Sequence, residues 1–194
     1  MKIFDEAKLH KALLLLDEQL QLRHLPNTEL VVCGGSALIA AHLVARTTQD
    51  VDVVAMVQNG NLVSAEPLPE YLQTAVERVA AILHLPEDWL NNGPASQFHM
   101  GLPDGFYARL QRVQIGACLI IDYISRADQI FFKTFAAADR GGYHIADLKA
   151  LNPTDDEILD AARWCTTQDV SESFLFILKE MLTQNGWGYV CQKL

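Results

Sequence analysis

Leu9, Leu13, Leu16 and Leu20 recur at spacings of four, three and four within residues 5–24, which predicts a helix with one apolar face. Acids at Asp5 and Glu6 open that helix, Arg23 and His24 close it in the sense the helix dipole favours, and Pro26-Asn27 breaks it. The apolar run Leu30-Val31-Val32-Cys33 predicts a short buried strand, which Gly34-Gly35-Ser36 turns into a second helix over 37–45. Another strand is expected over 49–57, closed by Asn59-Gly60-Asn61, and Leu72, Val76, Val79 and Leu83 predict a helix over 70–83. Periodicity stops between 84 and 105, where prolines, glycines and Asn91-Asn92-Gly93 predict a long structured loop with one helical turn at 86–89. Loops of that length inside compact domains are uncommon and often functional.

Residues 106–124, rich in Val, Ile, Leu and Tyr, predict one or two strands, the clearer over 117–124. The remainder predicts helices over 127–140, 146–151, 154–166 and 171–184, the third opened by the capping-box pair Thr154 and Glu157. The pattern is α+β: a short mixed sheet of about four or five strands with helices against it, then a helical C-terminal part. The division is expected between a core over 1–125 and helices over 126–194.

Composition narrows the class. Half of the 194 residues are hydrophobic and 20% are charged, which is globular and excludes a disordered chain. The uncharged stretch between Glu29 and Arg46 contains Gly34, Gly35, Ser36 and His42, too short and broken to span a bilayer. Met1-Lys2-Ile3-Phe4 runs straight into Asp5 and Glu6, so no signal peptide is expected. Cys33, Cys118, Cys165 and Cys191 lie far apart with no CxxC pair, which favours free thiols in a reducing cytosol over disulfides or zinc. A cytoplasmic protein without a membrane partner is the expectation. A net charge of −9 opposes indiscriminate nucleic-acid binding but leaves room for a local basic groove.

The chemistry concentrates between Glu29 and Val54. A strand entering a helix through Gly34-Gly35-Ser36 lets backbone approach a ligand closely and aims amide donors at an anion, with the Ser36 hydroxyl as a further donor. Asp50 and Asp52, at i and i+2 on a strand, point to one side. Two carboxylates held together repel unless a cation lies between them, and paired carboxylates completed by water and phosphate are the usual Mg²⁺ site. The alternative is a solvent-facing pair on an edge strand. Asp122 is the one acid in the apolar run 119–124, where a charge is costly unless paired. Such an acid is paired, metal-bound or a structural acid at a strand end. Arg46 could reach phosphates or pair with Asp50, and Trp89 is most simply a packing anchor.

The pattern of apolar-GGSA-apolar followed by Arg46-Thr47-Thr48-Gln49-Asp50-Val51-Asp52-Val53-Val54 resembles the signature of DNA-polymerase-β-type nucleotidyltransferases. The nearest subgroups are AbiE-type toxin nucleotidyltransferases and related uncharacterised bacterial proteins. Leu85-Pro86-Glu87-Asp88-Trp89-Leu90-Asn91-Asn92, Lys133, and Asp139-Arg140 with Asp147-Leu148 resemble further motifs of those families, and the likeness covers residues 29–151. The resemblance implies a nucleotidyltransferase-type sheet flanked by helices. It implies that Gly34, Gly35, Ser36 and Arg46 meet an NTP, and that Asp50 and Asp52 hold Mg²⁺ or Mn²⁺. It further implies that Lys133 neutralises the triphosphate while Asp147 supports that lysine. The alternatives for the last two are an exposed helix lysine and a surface acid or cap. Transfer of an NMP to an RNA end, a protein or a small molecule is the implied activity, with a toxin role beside an antitoxin partner. Polymerase-type chemistry adds a third carboxylate that accepts the proton of the attacking hydroxyl, for which Asp122 is the candidate, the alternative being a strand-end or hydrogen-bonded structural acid. A catalytically lapsed fold that binds a nucleotide or a protein is the rival reading.

Overall fold

In the computed structural model, which describes residues 4–44 and 47–194, Asp5 caps helix α1 (Glu6–Leu22) by accepting the Lys8 amide at 2.8 Å. Strand β1 (Thr28–Cys33) runs directly into α2 (Gly34–Ala40), and β2 (Val51–Gln58) forms a hairpin with β3 (Asn61–Ser64). Helix α3 (Glu70–Leu83) leads to β4 (Leu90–Asn91), a 3-10 turn over Gly93–Ala95 and α4 (Ser96–Met100). Strands β5 (Gln111–Gln114) and β6 (Leu119–Tyr123) precede α5 (Arg126–Arg140), α6 (Tyr143–Ala150), α7 (Asp155–Gln168) and α8 (Glu172–Gln184).

Among the described residues the sheet has six strands in the order β3-β2-β1-β6-β5, with β4 pairing beside β2, and it is mixed: β1 runs antiparallel to β2 and parallel to β6. The fold class is the expected α+β. The strand count is larger than expected because β3 and β4 carry little apolar signal; β3 is held by hairpin hydrogen bonds across Asn59-Gly60, where both residues take positive φ. The 84–105 stretch is likewise less irregular than expected, with a turn and not a helix at Pro86–Trp89, closed by the Trp89 amide on the Pro86 carbonyl at 3.1 Å.

Helix α2 starts three residues earlier than its side chains predict and stops at Ala40, followed by His42 at φ 55°. A left-handed residue cannot continue a right-handed helix. Thr154 and Glu157 make both hydrogen bonds of the capping box at the start of α7.

The chain divides into two compact units, Met1–His99 with Tyr107–Ile124, and Met100–Phe106 with Ser125–Leu194. The core of the first lies on one side of the sheet, where Leu9, Leu13, Leu16 and Leu20 of α1 and Leu72, Val76 and Val79 of α3 cover Leu30, Val32, Val53, Leu119 and Ile121. Trp89 is fully buried there and its indole donates to the Val76 carbonyl at 3.0 Å, which makes it the packing anchor of its loop. In the second unit Phe106, Phe132 and Trp164 stack in series at 6.1 and 5.6 Å, and the Trp164 indole donates to the Gly101 carbonyl. No disulfide joins the described cysteines, and Cys33 and Cys165 are buried.

Candidate functional site

A β-bulge in β2 decides where Asp52 points. Val31 pairs with Ala55 but Val32 pairs with Val53, so Val54 is an extra residue and the side-chain alternation reverses there. Met56 faces the core before the bulge, and Val53 and Val51 face it after. Without that extra residue Asp52 would share the core face with Met56; with it, Asp52 takes the opposite face beside its pairing partner Cys33.

On that face Asp52 meets the start of α2. Gly34 takes φ 72°, and a Cβ there would strike the Asp52 carboxylate and lie 3.2 Å from its Cγ, so the carboxylate would have to shift. The glycine therefore serves a close approach of backbone to carboxylate as well as a left-handed turn. Gly35 and Ser36 follow as buried residues of the first helical turn, and the N-cap Cys33 contributes no side-chain hydrogen bond to it. The Ser36 hydroxyl donates to the Cys33 carbonyl at 3.3 Å, so it braces the strand-to-helix turn from inside.

Asp50 is half-buried one residue before β2, with the Thr48 hydroxyl 3.5 Å from its Oδ1. Arg46 lies outside the described residues. Among the described residues no group of three or more His, Cys, Asp and Glu side chains gathers as a metal site would need. A pair of hard oxygen donors at Asp50 and Asp52 still fits Mg²⁺, which keeps waters and takes substrate phosphate oxygens as further ligands.

Asp122 belongs to the same sheet face as Asp52, since its neighbours Ile121 and Tyr123 face the core. It pairs with Val31, two residues back along β1 from the Cys33 opposite Asp52. Two strand spacings and two residues separate the aspartates by roughly 12 Å between Cα atoms. Asp122 is buried, its Oδ2 has no hydrogen-bond partner among the described residues, and its pKa is pushed up to about 6, first by burial and then by the Glu29 carboxyl.

In the second unit, Lys133 and Asp147 form an ion pair of 2.9 Å between α5 and α6, with side chains 4% and 3% exposed. Neither alternative of an exposed lysine or a surface acid holds. Arg140 is exposed at the end of α5 and lies 3.3 Å from Asp139, so the two cations do not share a solvated face. The Tyr143 ring lies 5.8 Å from the Lys133 ammonium.

A mixed sheet flanked by helices, with a helical C-terminal region, is the fold the sequence resemblance implies. A family model described as "Nucleotidyltransferase of unknown function (DUF6036)" matches residues 11–174. The chain belongs to this family. It is a nucleotidyltransferase-like family of the DNA-polymerase-β superfamily, and membership points to nucleotidyl transfer as the general chemistry. No curated protein and no solved structure matches the chain.

Sequence reasoning missed Glu29, Arg112 and Asp17. Arg112 forks onto Glu29 at 2.7 and 3.0 Å from 83 positions away, a pairing without local signal. Asp17, in the middle of α1, accepts the Cys118 and Leu119 amides at 2.7 and 2.8 Å, where its only sequence trace is an acid one position from the apolar stripe.

Proposed function

We propose that this protein transfers a nucleoside monophosphate from an NTP to a hydroxyl acceptor. The observation that carries the reading is the packing of Gly34 against the Asp52 carboxylate, which brings the turn expected to meet phosphates and the acid expected to hold a divalent cation into van der Waals contact.

In this reading Asp50 and Asp52 hold Mg²⁺ or Mn²⁺, and the backbone at Gly34, Gly35 and Ser36, with Arg46, faces the triphosphate. The ion when bound stabilises the charge that develops on the phosphoryl oxygens. Asp122 takes the proton of the attacking hydroxyl, whose oxygen bonds to the α-phosphorus as the bond to pyrophosphate breaks. Lys133 and Asp147, expected beside the triphosphate, pair with each other inside the second unit and take no part in this reading. The acceptor is an RNA end, a protein or a small molecule in the cytoplasm. The resemblance to AbiE-type proteins supports a toxin role with a small antitoxin partner.

Titration calorimetry with ATP and CTP, with and without Mg²⁺, beside transfer of labelled NMP to RNA and protein acceptors, tests the reading. Asp52→Asn should abolish Mg²⁺-dependent binding while preserving the fold; parental binding in that variant would sink the site. The second reading is a module that binds a nucleotide without transferring it. The roughly 12 Å between Asp52 and Asp122 favours it, and binding without label transfer would support it.

A further inference from the structure

We propose that Glu29 and Arg112 are positioning residues that act through Asp122, setting the charge around its carboxyl so that it accepts the proton of the attacking hydroxyl. This rests on the transfer reading above. Three adjacent strands supply the three side chains: Asp122 on β6 is the register partner of Val31 on β1 and of Arg112 on β5. Glu29 lies two residues before Val31, so strand alternation puts Glu29, Asp122 and Arg112 on one face. The Arg112 guanidinium crosses the intervening strand to reach both Glu29 oxygens, at 2.7 and 3.0 Å.

That fork fixes what Asp122 faces. Asp122 is 3% exposed, and its Oδ2 is buried with no hydrogen-bond partner among the described residues, a costly environment for an acceptor. The charged groups acting on it are the Glu29 carboxylate, which opposes ionisation, and the Arg112 guanidinium, which favours it. Helix α1 packs on the other side of the sheet, and its Asp17 is engaged with the Cys118 and Leu119 amides. Because Arg112 pairs with Glu29, neither acts on Asp122 at full strength. The two together set how readily it ionises. The result is a carboxyl whose pKa, pushed up to about 6, lies close to neutrality, where a general base is both ionised and able to take a proton.

The test is a carboxyl carbon-13 titration of the full chain by NMR, with Asp122→Asn assigning the resonance. Glu29→Gln, close in shape to the parent, should lower the Asp122 midpoint by about one pH unit, and Arg112→Gln should raise it. In parallel, pyrophosphate release from Mg²⁺-CTP with unfractionated tRNA should show an acid limb that moves in the same directions. A midpoint that stays within about 0.3 unit in both variants overturns the proposal, even where Asp52→Asn abolishes release and so sustains the transfer reading. Release that is unchanged by Asp122→Asn but lost in Asp52→Asn overturns the base role alone. Absence of any release by the parent sinks the transfer reading and the base role together, while a moved midpoint would still identify a coupled acid pair.

Discussion

The Lys133 ammonium and the Asp147 carboxylate lie 2.9 Å apart with both side chains almost wholly enclosed between α5 and α6. A buried pair of this kind adds little against an apolar replacement, but breaking it leaves an uncompensated charge in a low dielectric. Lys133→Ala should therefore destabilise the fold by about 3–5 kcal/mol, in contrast to the near-silent melting expected of a surface lysine. The double variant Lys133→Met with Asp147→Leu should recover most of that loss. Urea unfolding of the three proteins measures it, and equal stability of parent and Lys133→Ala would refute the burial argument.

Gly34→Ala places a methyl where the Asp52 carboxylate lies and forces an L side chain into φ 72°. The backbone alone costs about 1–2 kcal/mol, and the carboxylate must also move. Mg²⁺-dependent nucleotide binding should fall at least as far as in Asp52→Asn. Calorimetry decides, and a Gly34→Ala protein that binds like the parent contradicts the site.

Asp17 ties α1 to the turn between β5 and β6, and Gly116 leaves space for its carboxylate, which a Cβ would strike. Asp17→Ala strands two amide donors, at a cost of about 1–3 kcal/mol. Gly116→Ala should cost a similar amount through overpacking, about 1–3 kcal/mol. Because both changes act on one contact, the double variant should lose clearly less than the sum, which chemical denaturation can read.

The raised pKa of Asp122 makes its contribution to stability depend on pH. For an acid pushed up from 3.8 to about 6, the folded state favours the protonated form. Stability from this group is complete below about pH 4 and fades as pH rises through 6. Asp122→Asn, always neutral, should melt about 2–4 °C above the parent at pH 7.5, the shift that about 1 kcal/mol produces in a chain of this size. The gap should close by pH 4.5. Melting curves at the two pH values test the sign.

The sequence by itself determined the elements whose signal is local. The leucine stripe of α1, the α3 span from Glu70 to Leu83 and the Thr154–Glu157 capping box are periodicities or neighbouring side chains, and the structure keeps all three. The strand-to-helix turn at Gly34-Gly35-Ser36 was legible for the same reason, as a short local run between two apolar ones. Direction and partnership were not. A strand alternates until a bulge reverses it, and the extra residue at Val54 exists only in the pairing of β2 with β1. That pairing, and no feature of the D-x-D itself, turned Asp52 away from the core and onto Gly34. Glu29 with Arg112, and Asp17 with the Cys118 and Leu119 amides, join residues far apart in the chain, whereas the resemblance already implied Asp147 beside Lys133 and only the burial of that pair was illegible. Whether such a charge is solvated or buried depends on what the fold brings against it, so tertiary packing alone decided that Lys133 is an interior cation.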